Sequence, residues 1–131
     1  MIVIIAFNAL HISSNLSNND DKERYFMEKT IATMTANYLK AMSHPSRIKI
    51  IKILLEKDQY VKDIAAQLNI EQSNLSQHLN VLKKQGIVDS KSEGTSVLYW
   101  LKNPTTHKII SDVEDVLKEQ ITQSQALLKR F

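Results

Sequence analysis

The chain has no cysteine at all among its 131 residues. A disulfide, a thiolate metal site, a thiol redox switch and a cysteine nucleophile are therefore excluded. Glycine and proline occur only twice each. Few tight turns can be built from such a stock, so the expectation is a mostly helical protein. With only Gly86 and Gly94 available, neither a GxGxxG fingerprint nor a P-loop can be written. No Ser/His/Asp set and no paired-carboxylate cluster falls on a recognisable catalytic scaffold, and the reading is that the chain is not an enzyme.

A long apolar run is missing too. Residues 1–10, MIVIIAFNAL, are apolar but too short for a bilayer, which needs about 20 residues. The run lacks the cationic start and small-residue cleavage site of a secretory signal. It reads as an extra packing element or as an over-long start with Met27 the true initiator, a signal peptide being a third option. A cytoplasmic location without membrane contact is expected.

The net charge is only +3, but it is unevenly spread. From Lys40 to Lys62 six bases face two acids, whereas from Lys108 to Phe131 four bases balance four acids. The positive excess is central, which permits a polyanionic partner.

Residues 1–21 are assigned to an N-terminal extension and polar linker (HISSNLSNNDD from His11), and 22–131 to one folded domain. Phe26, Ile31, Met34, Tyr38 and Met42 recur at helical spacing, and that helix ends before Pro45. Pro45 sits at the first position of a second helix, whose expected buried stripe is Ile48, Ile51, Leu54 and Leu55. Val61–Leu68 follows as a short helix burying Ile64, Ala65 and Leu68, with Asn69 suited to the left-handed stop. A helix from Gln72 buries Leu75, Leu79 and Leu82 and stops at Gly86, with Ile87 supplying the accompanying apolar contact. Val88–Ser92 and Val97–Leu101 are then strand candidates joined by Glu93-Gly94-Thr95-Ser96.

From Pro104 onward one long helical pattern carries Ile110, Val113, Leu117, Ile121, Ser124, Leu128 and Phe131 on a single seam. A helix of about 35–40 Å is too long to bury that seam on so small a domain, and a partner helix is implied.

Val61–Gln85 has helix-turn-helix proportions, and the hairpin behind it makes a wing. Along its second helix Gln72, Ser73, Asn74, Ser76, Gln77 and His78 carry short hydrogen-bonding side chains able to read base edges in a major groove. Lys83, Lys84 and, on the wing, Lys91 suit phosphates. Arg47 is placed either near phosphates or in an intramolecular ion pair. A polar helix face alone is equally a solvated surface; the wing behind it is what raises the assignment. The alternative function is a protein-interaction module that does not read DNA sequence, and such a module has no need of those small polar readers.

Ala41-Met42-Ser43-His44-Pro45-Ser46-Arg47-Ile48, Asp63-Ile64-Ala65, Ser73-Asn74-Leu75-Ser76-Gln77-His78-Leu79, Leu82-Lys83-Lys84-Gln85-Gly86-Ile87-Val88 and Glu93-Gly94 together resemble the ArsR/SmtB family of winged helix-turn-helix transcriptional repressors. The resemblance runs from about Tyr38 to Leu101. It implies the layout α1-α2-α3-α4-β-β-α5 and a homodimer formed by the first and last helices, through Phe26, Ile31, Met34, Tyr38, Ile110, Val113, Leu117, Ile121 and Leu128. It also implies two recognition helices in successive major grooves of a pseudo-palindromic double-stranded DNA operator.

The chain departs from the family at Glu71, where serine often caps the recognition helix, and at Thr95, where the wing often has arginine. Thr95 is kept as a wing contact, with Lys91 as the wing's main base. The family's thiolate metal site would fall at Tyr60-Val61-Lys62-Asp63, where no cysteine stands. Its second site would fall at Thr105-Thr106-His107, Lys118 and Ile121, and only His107 matches a ligand. A degenerate site of His107 with Asp112 or Glu114 is geometrically poor. No metal, no other cofactor and no identified inducer follow.

Overall fold

The computed structural model describes residues 18–130. The readings made for residues 1–17 and for Phe131 lie outside them. The described chain is mostly helical with one small sheet, in the order α1 (Asn19–Met42), α2 (Pro45–Glu56), β1 (Gln59–Tyr60), α3 (Val61–Leu68), α4 (Gln72–Lys84), β2 (Val88–Glu93), β3 (Ser96–Leu101) and α5 (Thr106–Leu128). Two compact units divide between Lys40 and Ala41.

The first unit takes α1 through Lys40, and the last two residues of the helix, Ala41 and Met42, belong to the second. The helix begins at Asn19, before Phe26, the first position of the hydrophobic period, and Asn18 Oδ1 caps it by accepting the Asp21 N–H at 2.8 Å. Asp20 and Asp21 then complement the positive end of the helix. Phe26, Ile31 and Met34 are all more than half exposed, and Tyr38 is half-buried.

The second unit holds the core. His44 caps α2: its backbone is extended, and its Nδ1 accepts the Ser46 N–H at 3.1 Å while Pro45 occupies the first turn. The buried stripe of α2 is Ile50, Ile51 and Leu54 rather than the expected set. Ile48 is half-buried and Leu55 is 40% exposed. Apolar residues at 48, 50, 51, 53, 54 and 55 surround this helix almost completely, so periodicity could not choose the face.

In α3, Val61 and Ile64 are buried, while Ala65 and Leu68 are only half-buried. Asn69 takes φ 52°, and the N–H groups of Asn69 and Ile70 donate to the carbonyls of Ala66 and Ala65, both at 3.2 Å. That closure turns the chain sharply into α4.

The helix α4 lowers Leu75, Leu79 and Leu82 into the core at 0% exposure. It ends in a Schellman motif: Gly86 at φ 69° donates to the Lys83 carbonyl, and Ile87 donates to that of Leu82, each at 3.0 Å. Ile87 is itself fully buried.

Strands β2 and β3 pair antiparallel from Val88↔Leu101 to Glu93↔Ser96. Gly94, at φ 62°, opens the two-residue turn with Thr95, a position that favours glycine. The added strand β1 pairs Gln59↔Tyr99 and Tyr60↔Leu98, so the sheet order is β1-β3-β2. Two residues are too few for any strand period to register.

Only Thr106 and Ile110 of α5 are buried, although the helix has 23 residues, or about 35 Å. Val113, Leu117, Ile121 and Leu128 are exposed by 50% or more. Lys52 of α2 donates to Glu114 of α5, which holds that carboxyl below its ordinary range. No helix among the described residues is long and apolar enough to cross a membrane.

Candidate nucleic-acid interface

Burying three leucines of α4 turns its opposite side outward. Gln72, Ser73, Asn74 and Gln77 are all exposed, as the sequence reading required of side chains meant for a groove. Ser76 is half-buried, and its hydroxyl donates to the Gln72 carbonyl at 2.8 Å, so it offers a partner its lone pairs. Asn80 is also exposed and lies one turn beyond Gln77 on the same side. It is not among the side chains picked out from the sequence, and its i+3 spacing from Gln77 is the signal that marks it.

The N-terminus of α4 is open. Glu71 makes no side-chain cap, and the first helical bond runs from Leu75 N–H to the Glu71 carbonyl at 3.0 Å. The preceding amides at 72–74 are left without helical acceptors and suit an anion.

His78 has contacts within the protein. It is half-buried, with its ring centroid 4.4 Å from that of His44 and its Nδ1 3.4 Å from an Arg47 guanidinium nitrogen. Burial, then the neighbouring His44 and Arg47, holds its pKa below the ordinary histidine value. Arg47 Nε donates to the Ala41 carbonyl. This arginine therefore joins the end of α1 to the beginning of α2 and to α4, and its guanidinium is occupied within the protein.

The two lysines that end α4 differ. Lys83 Nζ donates to Ser90 Oγ at 2.6 Å and lies 3.7 Å from Asp89 Oδ1, so it ties the recognition helix to the base of the wing. Lys84 is exposed and free to meet a phosphate. Lys91 and Thr95 are exposed on the wing, Lys91 opposite Leu98 and Thr95 in the turn. Near the tip, the Tyr60 hydroxyl donates to Glu93 at 2.7 Å, and that bond with the carboxylate raises the phenol above its ordinary pKa. The Tyr60–Glu93 link joins residues 33 apart and left no trace in the sequence.

Metal ligation has little to work with. Among the described residues no group of three or more His, Cys, Asp or Glu side chains is placed to hold an ion. Asp112 accepts from Lys108 at 2.8 and 2.9 Å, and Glu114 from Lys52, so the two carboxylates considered with His107 are both engaged.

Comparison with known proteins falls on this same region. The model of the bacterial regulatory protein arsR family matches residues 44–90. An uncharacterised HTH-type transcriptional regulator of Mycobacterium tuberculosis is 30% identical over 97 residues, 73% of this chain and 85% of its own. The transcriptional activator HlyU of Vibrio cholerae is 34% identical over 84 residues, 64% of this chain and 77% of its own. The crystal structure of the transcriptional repressor BigR from Xylella fastidiosa superposes with a TM-score of 0.61 at 32% identity, covering 71% of this chain and 94% of the other.

Proposed function

Since this chain belongs to the arsR family of bacterial regulatory proteins and is a DNA-binding transcription regulator, we propose that it works as a homodimeric repressor on a pseudo-palindromic operator. Residues 22–131 act as the reading and dimerisation domain, in the cytoplasm and without enzymatic activity. Gln72, Ser73, Asn74, Ser76 and Gln77 face the major groove, joined by Asn80. Lys84 and Lys91 meet phosphates, and Thr95 approaches the backbone from the wing. Lys83 and Arg47 hold the reading parts together instead.

The observation that carries this reading is the division of α4 into two sides. Leucines lock one side at 0% exposure, while the other offers amides and hydroxyls to solvent above an uncapped helix end. Repression is preferred to activation because an occupied operator excludes polymerase with no further surface needed. Relatives with both names are similar to this chain.

The dimer rests on the half-exposed seams of α1 and α5, which leave apolar surface that a second copy would cover. The family's usual metal sites are not used, because cysteine is absent and the carboxylates near His107 are bound by lysines.

The test is fluorescence anisotropy with duplexes that the protein selects from a random pool, titrated at several salt concentrations with and without zinc. Selective, salt-dependent binding that ignores zinc is expected. Release by zinc would refute the metal-independent reading. Failure to select any sequence would favour a protein-interaction module, for which the apolar seam of α5 would be the contact.

A further inference from the structure

His78 lies in the middle of the recognition helix, half-buried, with its ring against His44 and Arg47. Its Nδ1 sits 3.4 Å from an Arg47 guanidinium nitrogen. An arginine can only donate, so this nitrogen must be the acceptor and the ring proton must sit on Nε2. The ring also lies against His44 at 4.4 Å, tilted by 39°. His44 in turn spends its own Nδ1 on the Ser46 N–H, as the cap of α2. Two imidazoles and a guanidinium thus form the joint between the start of α2 and the reading helix.

We propose that His78 is a positioning residue for DNA reading, holding α4 on the first turn of α2 through Arg47 and His44, and that it does so only while its ring is neutral. A proton on Nδ1 would remove the acceptor and set a cation beside the Arg47 cation. Besides burial, the groups acting on His78 are His44 and Arg47. Helix α3 and strand β2 also pack on α4, but Lys62, Asp63, Asp89 and Lys91 are not among those groups. Along α4 itself, the neighbours one turn away are Asn74, Leu75, Val81 and Leu82, none of them charged.

The role rests on the DNA-reading function proposed above. It makes acid a signal: affinity for the operator falls as pH drops through the range where His78 takes up its proton. The folded ring binds its proton less readily than a free histidine, so the joint is intact above the ordinary histidine range and is lost as pH falls below it.

The experiment is anisotropy on a duplex selected by the protein from a random pool, between about pH 7.5 and 5.5, with wild type and His78→Asn. Asparagine cannot titrate but keeps an acceptor oxygen for Arg47. Wild type should weaken by up to about tenfold per pH unit for each reading helix, and the variant should bind as wild type does at the upper pH with that slope removed. Equal slopes for the two proteins would overturn the proposal. The NMR titration of His78 in the wild type, free and bound, checks the same coupling without any variant, should His78→Asn fail to fold. DNA binding must lower the ring's pKa if neutrality is required. A raised pKa would mean that His78 meets phosphates, which overturns the positioning role while leaving DNA reading intact. Absence of any DNA selection would sink DNA reading, and this role with it.

Discussion

Helices α4 and α5 carry the same kind of pattern and meet different fates. In α4, 13 residues long, the apolar positions Leu75, Leu79 and Leu82 are all at 0% exposure. In α5, 23 residues long, Ile110 is 5% exposed but Val113, Leu117 and Ile121 stand at 54%, 50% and 57%. Amphipathic spacing says that a face will be covered; it does not say by what. The core of this chain covers the leucines of α4, and the outer two-thirds of the α5 seam stays exposed. The function proposed above gives reading DNA and finding a partner to separate helices, and substitutions can test whether they separate in practice.

The largest expected effect comes from Leu117→Glu. A charge placed in a buried dimer seam, unpaired, costs about 3–5 kcal/mol, which is more than a hundredfold in the dimer dissociation constant. Sedimentation should show monomers at concentrations where wild type is dimeric, while circular dichroism stays helical. A variant that remains dimeric would mean that α5 meets its partner elsewhere, and the contrast with α4 would lose its meaning. Leu79→Ala attacks the other helix. It should cost about 2–5 kcal/mol in urea unfolding of the protein, since a fully packed leucine leaves a cavity. A loss below about 1 kcal/mol would show that α4 is not fixed by the core.

Next comes the outer side of α4. Gln77→Ala should leave urea stability unchanged and cost about 1–3 kcal/mol of operator affinity if the amide makes a bidentate base contact. The loss should depend on the base pair offered. Equal binding to every operator variant would remove Gln77 from the reading set and shift attention to Asn80.

What was legible in the sequence followed the same division. Asn69 and Gly86 punctuate the chain at positions that need left-handed backbone, so the boundaries of α3 and α4 could be read from single residues. The three leucines of α4 stand among polar residues and gave an unambiguous face. By contrast, α2 is apolar on most sides, and only packing decided that Ile50 goes inward and Leu55 outward. Strand β1 was illegible because two residues cannot show a period. The Arg47–His78 contact spans 31 residues, and nothing local in either helix announces it. Pattern reached the elements and the exposed polar face of α4; it did not reach the side-chain links that fix how those elements meet.

The smallest effect separates two adjacent lysines. Each phosphate contact removed should flatten the slope of log affinity against log salt by about one unit on B-DNA. Lys84→Ala should show that flattening and weaken binding to all sequences alike, because the side chain is exposed and carries no base information. Lys83→Ala should change the slope much less, since its ammonium already lies 2.6 Å from Ser90 Oγ and 3.7 Å from Asp89 Oδ1. Its loss would instead loosen the wing, and would show as weaker binding by a protein whose Lys91 no longer meets its phosphate in a fixed place. If the two variants flatten the salt dependence equally, Lys83 leaves Ser90 and Asp89 when DNA arrives. The wing would then be held by the DNA and not by the recognition helix.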